Sequence, residues 1–154
     1  TQSKECHFIC SSFSSDSIKK IEPSIFDGCA SLTSIIIPSD VRIINFAAFR
    51  DCTSLTSVLF PGQLEELDWC AFENCISLTA VTIPGCVKKI GWNAFKNCIS
   101  LTSIDIPASV RIIEDNAFEG CTGLKDLTIS RRFEDDLSRI FTNVDLSQLT
   151  INWV

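Results

Sequence analysis

The sequence contains one histidine and no tyrosine among its 154 residues, so it has few of the side chains that most often transfer protons in enzymes. The histidine, His7, lies in an irregular N-terminal stretch, and no Ser–His–acid triad has a suitable base. Neither a phosphate-binding loop nor a dinucleotide fingerprint occurs. Cys6, His7 and Cys10 form too weak a pattern to predict a metal site. We therefore predict no enzymatic activity, no cofactor and no metal centre.

Long apolar runs and an excess of positive charge are also absent. No stretch approaches the roughly 20 apolar residues of a membrane-spanning helix, so no such segment is predicted. The 13 basic and 19 acidic residues leave a net charge of −6, which repels a phosphate backbone, so nucleic acid is not an expected partner. With 45% hydrophobic residues, the chain nevertheless has enough apolar side chains for a core.

What the sequence does contain is a repeat of 23 residues. Phenylalanine, cysteine and leucine each recur five times at this spacing, and proline recurs four times. A fixed period of this length is typical of a solenoid, in which each unit buries its apolar face by stacking on its neighbours. The recurring residues are Phe26, Phe49, Phe72, Phe95 and Phe118; Cys29, Cys52, Cys75, Cys98 and Cys121; Leu32, Leu55, Leu78, Leu101 and Leu124; and Pro38, Pro61, Pro84 and Pro107.

Each repeat has two apolar segments, VxxI and LxxIxI, separated by a short Ala-Phe stretch. Side chains alternate along LxxIxI, so Ile35, Ile37 and their equivalents are predicted to point inward from a strand that the proline ends. Only Gly, Asn or Asp immediately precedes each repeated cysteine, which predicts a left-handed backbone that closes a short helical turn. These positions are Gly28, Asp51, Asn74, Asn97 and Gly120.

The run from Cys75 to Pro84, CISLTAVTIP, followed by Val87, Ile90 and Phe95, resembles the BspA-like leucine-rich repeats, a class with the consensus CxxLxxIxIPxxVxxIgxxAFxx. The match is strong over residues 18–129. The resemblance implies an α/β fold, a leucine-rich-repeat solenoid with a stacked parallel β-sheet on one face and short strand or helical-turn elements on the other. It also implies a surface-exposed or secreted protein that takes part in adhesion and has no catalytic residues.

We predict a single solenoid domain over residues 1–154, cut from a longer protein, because the chain lacks an initial Met and Cys6 already follows the repeat register. Near the C-terminus, LSQLTI matches the earlier strands only if one residue is deleted, which places Leu146, Leu149 and Ile151 inward. The expected units are an irregular first coil at 1–25, regular repeats at 26–48, 49–71, 72–94 and 95–117, and a last repeat with a divergent coil at 118–154.

The repeated cysteines, together with Cys6, are predicted to form a ladder of reduced, buried thiols. Stacked parallel strands lie about 4.8 Å apart, whereas a disulfide needs about 3.8 Å between its Cβ atoms. In two further columns, residues of opposite charge are adjacent at several steps, and both columns are interpreted as solvated ladders that favour register. They are Lys19, Arg42, Glu65, Lys88, Arg111 and Glu134, and Asp27, Arg50, Glu73, Lys96 and Glu119.

Two surfaces are candidates for binding. One is the outward face of the strands, which changes from apolar to acidic along Ile36, Leu59, Thr82 and Asp105. The other is a column of aromatic residues that is expected to project from the side opposite these strands. It consists of Phe46, Trp69 and Trp92.

Each surface has a purely structural interpretation as well, since the strand face can be an ordinary exposed face and the aromatic rings can shield one another and the edge of the convex layer. As binding sites, they predict a protein partner, such as a host, matrix or cell-surface protein, or a second copy of the chain. Two alternatives remain. One is an intracellular domain that selects substrates for an attached effector or enzyme, and the other is carbohydrate binding through the aromatic column.

Overall fold

Parallel strands on two sides of a repeated coil form the fold in the computed structural model, which describes residues 17–154. The predictions that concern Cys6, His7 and Cys10, and most of the first coil at 1–25, lie outside the described residues. In chain order the strands are β1 (Lys20–Ile21), β2 (Ser34–Ile36), β3 (Ile43–Ile44), β4 (Ser57–Leu59), β5 (Glu66–Leu67), β6 (Lys89–Ile90), β7 (Ser103–Asp105), β8 (Ile112–Ile113), β9 (Asp126–Ile129) and β10 (Thr150–Trp153). Helix is confined to α1 (Leu137–Ile140) and 3₁₀ turns at Arg131–Asp136 and Leu146–Gln148 within the described part.

The VxxI segments form one continuous parallel sheet in the order β1-β3-β5-β6-β8. Each strand pairs with the equivalent strand of the next repeat, so that Ile44 lies beside Leu67 and Leu67 lies beside Ile90. The LxxIxI segments form a two-stranded sheet, β2-β4, and a three-stranded sheet, β7-β9-β10. Between these two sheets, Ala80 and Thr82 are held by isolated bridges to Ser57 and Asp105. The predicted parallel β-solenoid is therefore confirmed.

The core consists of the repeated apolar columns between the two strand faces. Ile35, Ile37 and their equivalents in the next four coils are all buried, as the alternation predicts. The five phenylalanines and Phe141 form one column of stacked rings, with neighbouring centroids 5.0–5.4 Å apart. Each of these rings is at most 1% exposed. The phenylalanine column therefore runs through every coil from Phe26 to Phe141.

The left-handed positions before the cysteines are confirmed, with φ between 59° and 74° at all five. Their side chains also connect the coils, because Asn97 donates to Asn74 over 2.9 Å and Asn74 donates to Asp51 over 2.7 Å. A second left-handed column, which the sequence did not reveal, lies four residues earlier in each repeat. It includes Ala47 and Cys70, residue types that seldom adopt this conformation. The residue types in this column therefore do not indicate a left-handed backbone. The Ala-Phe stretch between the two columns forms turns.

Four repeated cysteines are free and buried, and each donates its S–H group to a phenylalanine carbonyl 26 residues earlier. The bond from Cys75 to Phe49, for example, is 3.2 Å long. Burial raises the pKa of the Cys52 thiol to about 12, and it raises the pKa values of Cys75 and Cys98 as well. The predicted ladder of reduced thiols is thus confirmed for Cys52, Cys75, Cys98 and Cys121.

The prediction was wrong for Cys29, which is disulfide-bonded. Regular stacking excludes a disulfide only between cysteines on neighbouring parallel strands, whose Cβ atoms lie farther apart than a disulfide allows. Cys29 belongs to the first repeated coil, and its register neighbour towards the N-terminus lies outside the described residues. Within the described part of the chain, the regular spacing therefore excludes a disulfide only between Cys29 and its neighbour in the next coil, Cys52.

Thiol reactivity follows from this burial. In native protein without reductant, Cys86 is the exposed free cysteine of the described residues and is expected to react rapidly with an aromatic disulfide reagent. The five buried free thiols are expected to react only after denaturation. Cys86→Ser should remove one equivalent from the fast phase of native protein and leave the slow thiols unchanged. Fast reaction of the buried thiols in the native Cys86→Ser variant would contradict their protection by packing.

The C-terminal strand has a different register from the predicted one. The sequence predicted a one-residue deletion, whereas β10 pairs with β9 so that Ile151 lies beside Leu127 and Trp153 beside Ile129, one residue later than the regular repeat. The 3₁₀ turn at Leu146–Gln148, in which the Asp145 carboxylate accepts from the Ser147 amide, takes up the additional length. The three residues predicted to point inward, Leu146, Leu149 and Ile151, are partly buried against the core.

Candidate functional site

The strand face is open, as predicted. Ile36 is 72% exposed and Leu59 is 63% exposed, and the two lie side by side on β2 and β4. Thr82 and Asp105 are also exposed on this face. The charge columns form ion pairs between coils at Arg42–Glu65, Asp27–Arg50 and Lys96–Glu119. These partly exposed pairs are solvated contacts between neighbouring coils, worth about 0–1 kcal/mol each.

The aromatic column Phe46, Trp69 and Trp92, hereafter the aromatic stripe, follows the continuous five-stranded sheet. The three side chains are 39%, 50% and 42% exposed. The two indoles meet edge to face with their centroids 6.5 Å apart. Their backbone is held between coils, because the Trp69 carbonyl accepts from Ala47 and the Trp92 carbonyl accepts from Cys70, both over 2.9 Å. The stripe is therefore a half-exposed ridge on a fixed backbone.

Glu114 orients this ridge from the next coil. Its Oε2 atom accepts from the Trp69 indole Nε1 over 2.7 Å and from the Trp92 amide over 2.9 Å. Gly91 permits the close approach of the two coils, since a Cβ atom there would lie 2.8 Å from the backbone carbon of Asp68. One carboxylate thus fixes both tryptophans, and a glycine brings their coils together.

A cleft of about 470 Å³ opens beside the two tryptophans. Ile112, which is 51% exposed, contributes an apolar wall, and Asp115 and Arg139 contribute charged groups. Arg139 donates to the Ile113 carbonyl over 2.7 Å and to Asp115 over 3.1 Å. The cleft therefore combines aromatic and aliphatic surface with ionised side chains.

Two ion networks border the cleft. Lys89 lies 3.4 Å from Glu66 and 3.5 Å from Glu114, and although partial burial alone would lower the pKa of Lys89, these carboxylates raise it. Asp136 accepts from Arg139 over 2.8 Å, and this hydrogen bond lowers the pKa of Asp136 and raises that of Arg139. The pKa shifts at Lys89, Asp136 and Arg139 all favour the charged form of the side chain, so these groups supply fixed charges beside the cleft.

The sequence identified the aromatic stripe but not the rest of the cleft. The sequence indicates only weakly that Ile112 and Glu114 belong to a site. Ile112 lies in a repeat column that also contains lysine and glutamate, and Glu114 occupies the position of the consensus glycine. Arg139 belongs to the divergent coil, where the repeat no longer predicts position. Within residues 17–154, no group of three or more His, Cys, Asp or Glu residues is arranged to hold a metal ion. No helix in the same range is long and apolar enough to cross a membrane.

Stacked 23-residue coils with a column of buried leucines and parallel strands define this molecule as a leucine-rich-repeat solenoid. Residues 88–153 match the model of the family described as "BspA type Leucine rich repeat region (6 copies)". The resemblance predicted from the sequence is therefore confirmed.

Solved bacterial structures agree with this assignment. The chain is similar to the leucine-rich repeat protein of T. pallidum, with 34% identity and a TM-score of 0.72 over 73% of this chain and 52% of that one. It is also similar to a leucine-rich repeat protein of Bacteroides ovatus, with 30% identity and a TM-score of 0.66 over 73% of this chain and 35% of that one. The chain thus spans about half and about a third of the lengths of these two relatives. No curated protein matches it.

Proposed function

We propose that this chain is a non-catalytic, protein-binding repeat module of a surface-exposed or secreted adhesion protein. The observation that carries this proposal is the aromatic stripe, whose rings are 39–50% exposed while their backbone is held between coils. Tryptophan is among the residues that most often dominate binding energy at protein interfaces. The similarity to leucine-rich repeat proteins supports a role in protein interaction, and the resemblance to BspA-like repeats implies the surface-exposed or secreted location.

The stripe is suited to binding because little freedom remains to be lost. Glu114 holds the Trp69 ring through its indole nitrogen, and the edge-to-face contact restricts the Trp92 ring. Ordering a mobile side chain at an interface costs about 0.5–1.5 kcal/mol, a cost that prealigned indoles largely avoid. A second copy of the chain is a weaker candidate partner, since both copies carry a net charge of −6.

Paired variants of the two candidate surfaces test the proposal. Binding of the chain to immobilised collagen, laminin and fibronectin is measured by surface plasmon resonance, with a glycan array and sedimentation velocity in parallel. The Trp69→Ser/Trp92→Ser variant is expected to bind the recognised protein at least about thirtyfold more weakly, equivalent to about 2 kcal/mol. The matched Ile36→Ser/Leu59→Ser variant changes the strand face and is expected to bind like the unaltered chain.

The variants separate the competing interpretations. Both are expected to be folded at the assay temperature by circular dichroism, because the phenylalanine column is untouched. Loss of folding in the tryptophan variant would make the stripe structural and refute the proposal. Loss of binding in the strand-face variant alone would move the site to Ile36 and Leu59. Glycan binding that requires the tryptophans, without protein binding, would establish the carbohydrate alternative instead.

A further inference from the structure

We propose that the cleft beside Trp69 and Trp92 receives an arginine side chain of the partner protein. This inference rests on the proposed function, and it specifies the chemistry of the group that the aromatic stripe recognises. Three independent features of the described residues support it: the local charge, the way the chain places its own arginines on aromatic rings, and the shape of the cleft walls.

The surroundings of the cleft are acidic. Carboxylates outnumber cations five to two among the residues that form its ion networks and orient its tryptophans. The carboxylates are Glu66, Asp68, Glu114, Asp115 and Asp136, and the cations are Lys89 and Arg139. Because the whole chain is also acidic, this field attracts a positively charged group and repels an anionic one.

Elsewhere the same chain places arginine over two aromatic rings that are at least partly accessible to solvent. The guanidinium carbon of Arg50 lies 5.9 Å from the centroid of the Phe46 ring. The guanidinium carbon of Arg131 lies 5.2 Å from the centroid of the Trp153 ring. These are the cation–aromatic contacts within residues 17–154, so neither Trp69 nor Trp92 has such a cation from that part of the chain. The two partly exposed indoles therefore remain available to a cation from outside that part of the chain.

The walls of the cleft match the parts of an arginine side chain. Its planar guanidinium stacks on an indole face, and its weak hydration makes removal from water less costly than for an ammonium group. Asp115 keeps 67% of its side chain exposed while contacting Arg139, so its carboxylate is accessible to a second guanidinium. Ile112 provides apolar surface for the methylene stem. Glu114 acts as a positioning residue, since its Oε2 atom already holds both tryptophans.

Short peptides test this assignment directly. The probe is acetyl-Gly-Arg-Gly-amide, compared with peptides in which lysine or citrulline replaces arginine; citrulline has nearly the same shape but no charge. The three tryptophans give three indole N–H signals in a proton–nitrogen NMR spectrum, assigned by single Trp→Phe variants. We expect saturable shifts of the Trp69 and Trp92 signals, with citrulline at least about fivefold weaker than arginine. The Trp153 signal, whose ring Arg131 already covers, is expected to move little.

Two charge-matched variants complete the test. Asp115→Asn is expected to weaken arginine-peptide binding at least about threefold. Asp105→Asn removes the same charge from the strand face and is expected to leave binding unchanged. Equal binding of the citrulline and arginine peptides, equal effects of the two variants, or equal shifts of all three indoles would overturn the inference. If the peptides fail but the tryptophan variant still loses protein binding, the stripe binds its partner through apolar contacts and only the arginine assignment is refuted.

Discussion

Phe72→Ala is expected to lower the free energy of unfolding by about 3–5 kcal/mol. Phe72 is fully buried and lies between two stacked neighbours, with centroid distances of 5.0 Å to Phe49 and 5.4 Å to Phe95. Phe60 adds an edge contact at 5.6 Å. Coils on both sides prevent the structure from collapsing into the space left by the ring, so the cavity cost is added to the lost burial.

Equilibrium denaturation in urea measures this effect. Phe46→Ala is the matched control, because it deletes the same group from a residue that is 39% exposed. We expect the control to cost less than half as much, since much of the Phe46 ring already contacts water. A cost below about 1 kcal/mol for Phe72→Ala would show that the phenylalanine column does not stabilise the core in the way its burial indicates.

The second large effect is unfolding at alkaline pH. Burial raises the pKa of Cys52 from its ordinary value of 9.0 to about 12, and it also raises those of Cys75 and Cys98. Above pH 9 the unfolded chain loses these protons while the native state keeps them, so stability falls as pH rises. Each such thiol contributes a slope of about 1.4 kcal/mol per pH unit, and three contribute about 4. A stability of about 5–12 kcal/mol, which lies within the ordinary range for a domain, would therefore be lost between about pH 10 and 12.

Circular dichroism across pH 8–12, in oxygen-free buffer without reductant, follows this transition. The absence of tyrosine removes one group that would otherwise titrate in the same range. Cys75→Ser is the informative variant, because its hydroxyl can still donate to the Phe49 carbonyl but does not titrate there. The free energy of unfolding of this variant should fall less steeply with pH, and its slope should be smaller than that of the unaltered protein by about 1.4 kcal/mol per pH unit. An identical slope in both proteins would show that the buried thiols do not drive alkaline unfolding.

The fold was predictable because the same sequence pattern recurs from coil to coil. Any single Phe-x-x-Cys segment is ambiguous, but five copies at a spacing of 23 residues require the same environment five times. Prediction failed where that redundancy ends. The β10 register was wrong because the local turn at Leu146–Gln148 sets it, and Cys29 was misassigned because regular neighbours were assumed on both sides of it.

The candidate site was predictable only in part, for a related reason. Phe46, Trp69 and Trp92 occupy one repeat position, so periodicity places them together. The contact between Trp69 and Glu114 spans 45 residues, nearly two repeats, and depends on side-chain reach that no periodic pattern specifies. Arg139 comes to the cleft from the divergent coil through α1. Its position depends on how that coil packs against Ile113 and Asp115.

The two strand faces differ in continuity, so we expect the solenoid to be stiffer on one side than on the other. The face that carries β2, β4, β7 and β9 is interrupted at Ala80 and Thr82, where isolated bridges replace a strand. The opposite five-stranded sheet is unbroken and acts as a spine. Bending of the molecule should therefore open and close the interrupted face, while the spacing of Trp69 and Trp92, which follow the spine, stays nearly constant. A partner bound to the aromatic stripe would meet a rigid surface even while the rest of the coil flexes.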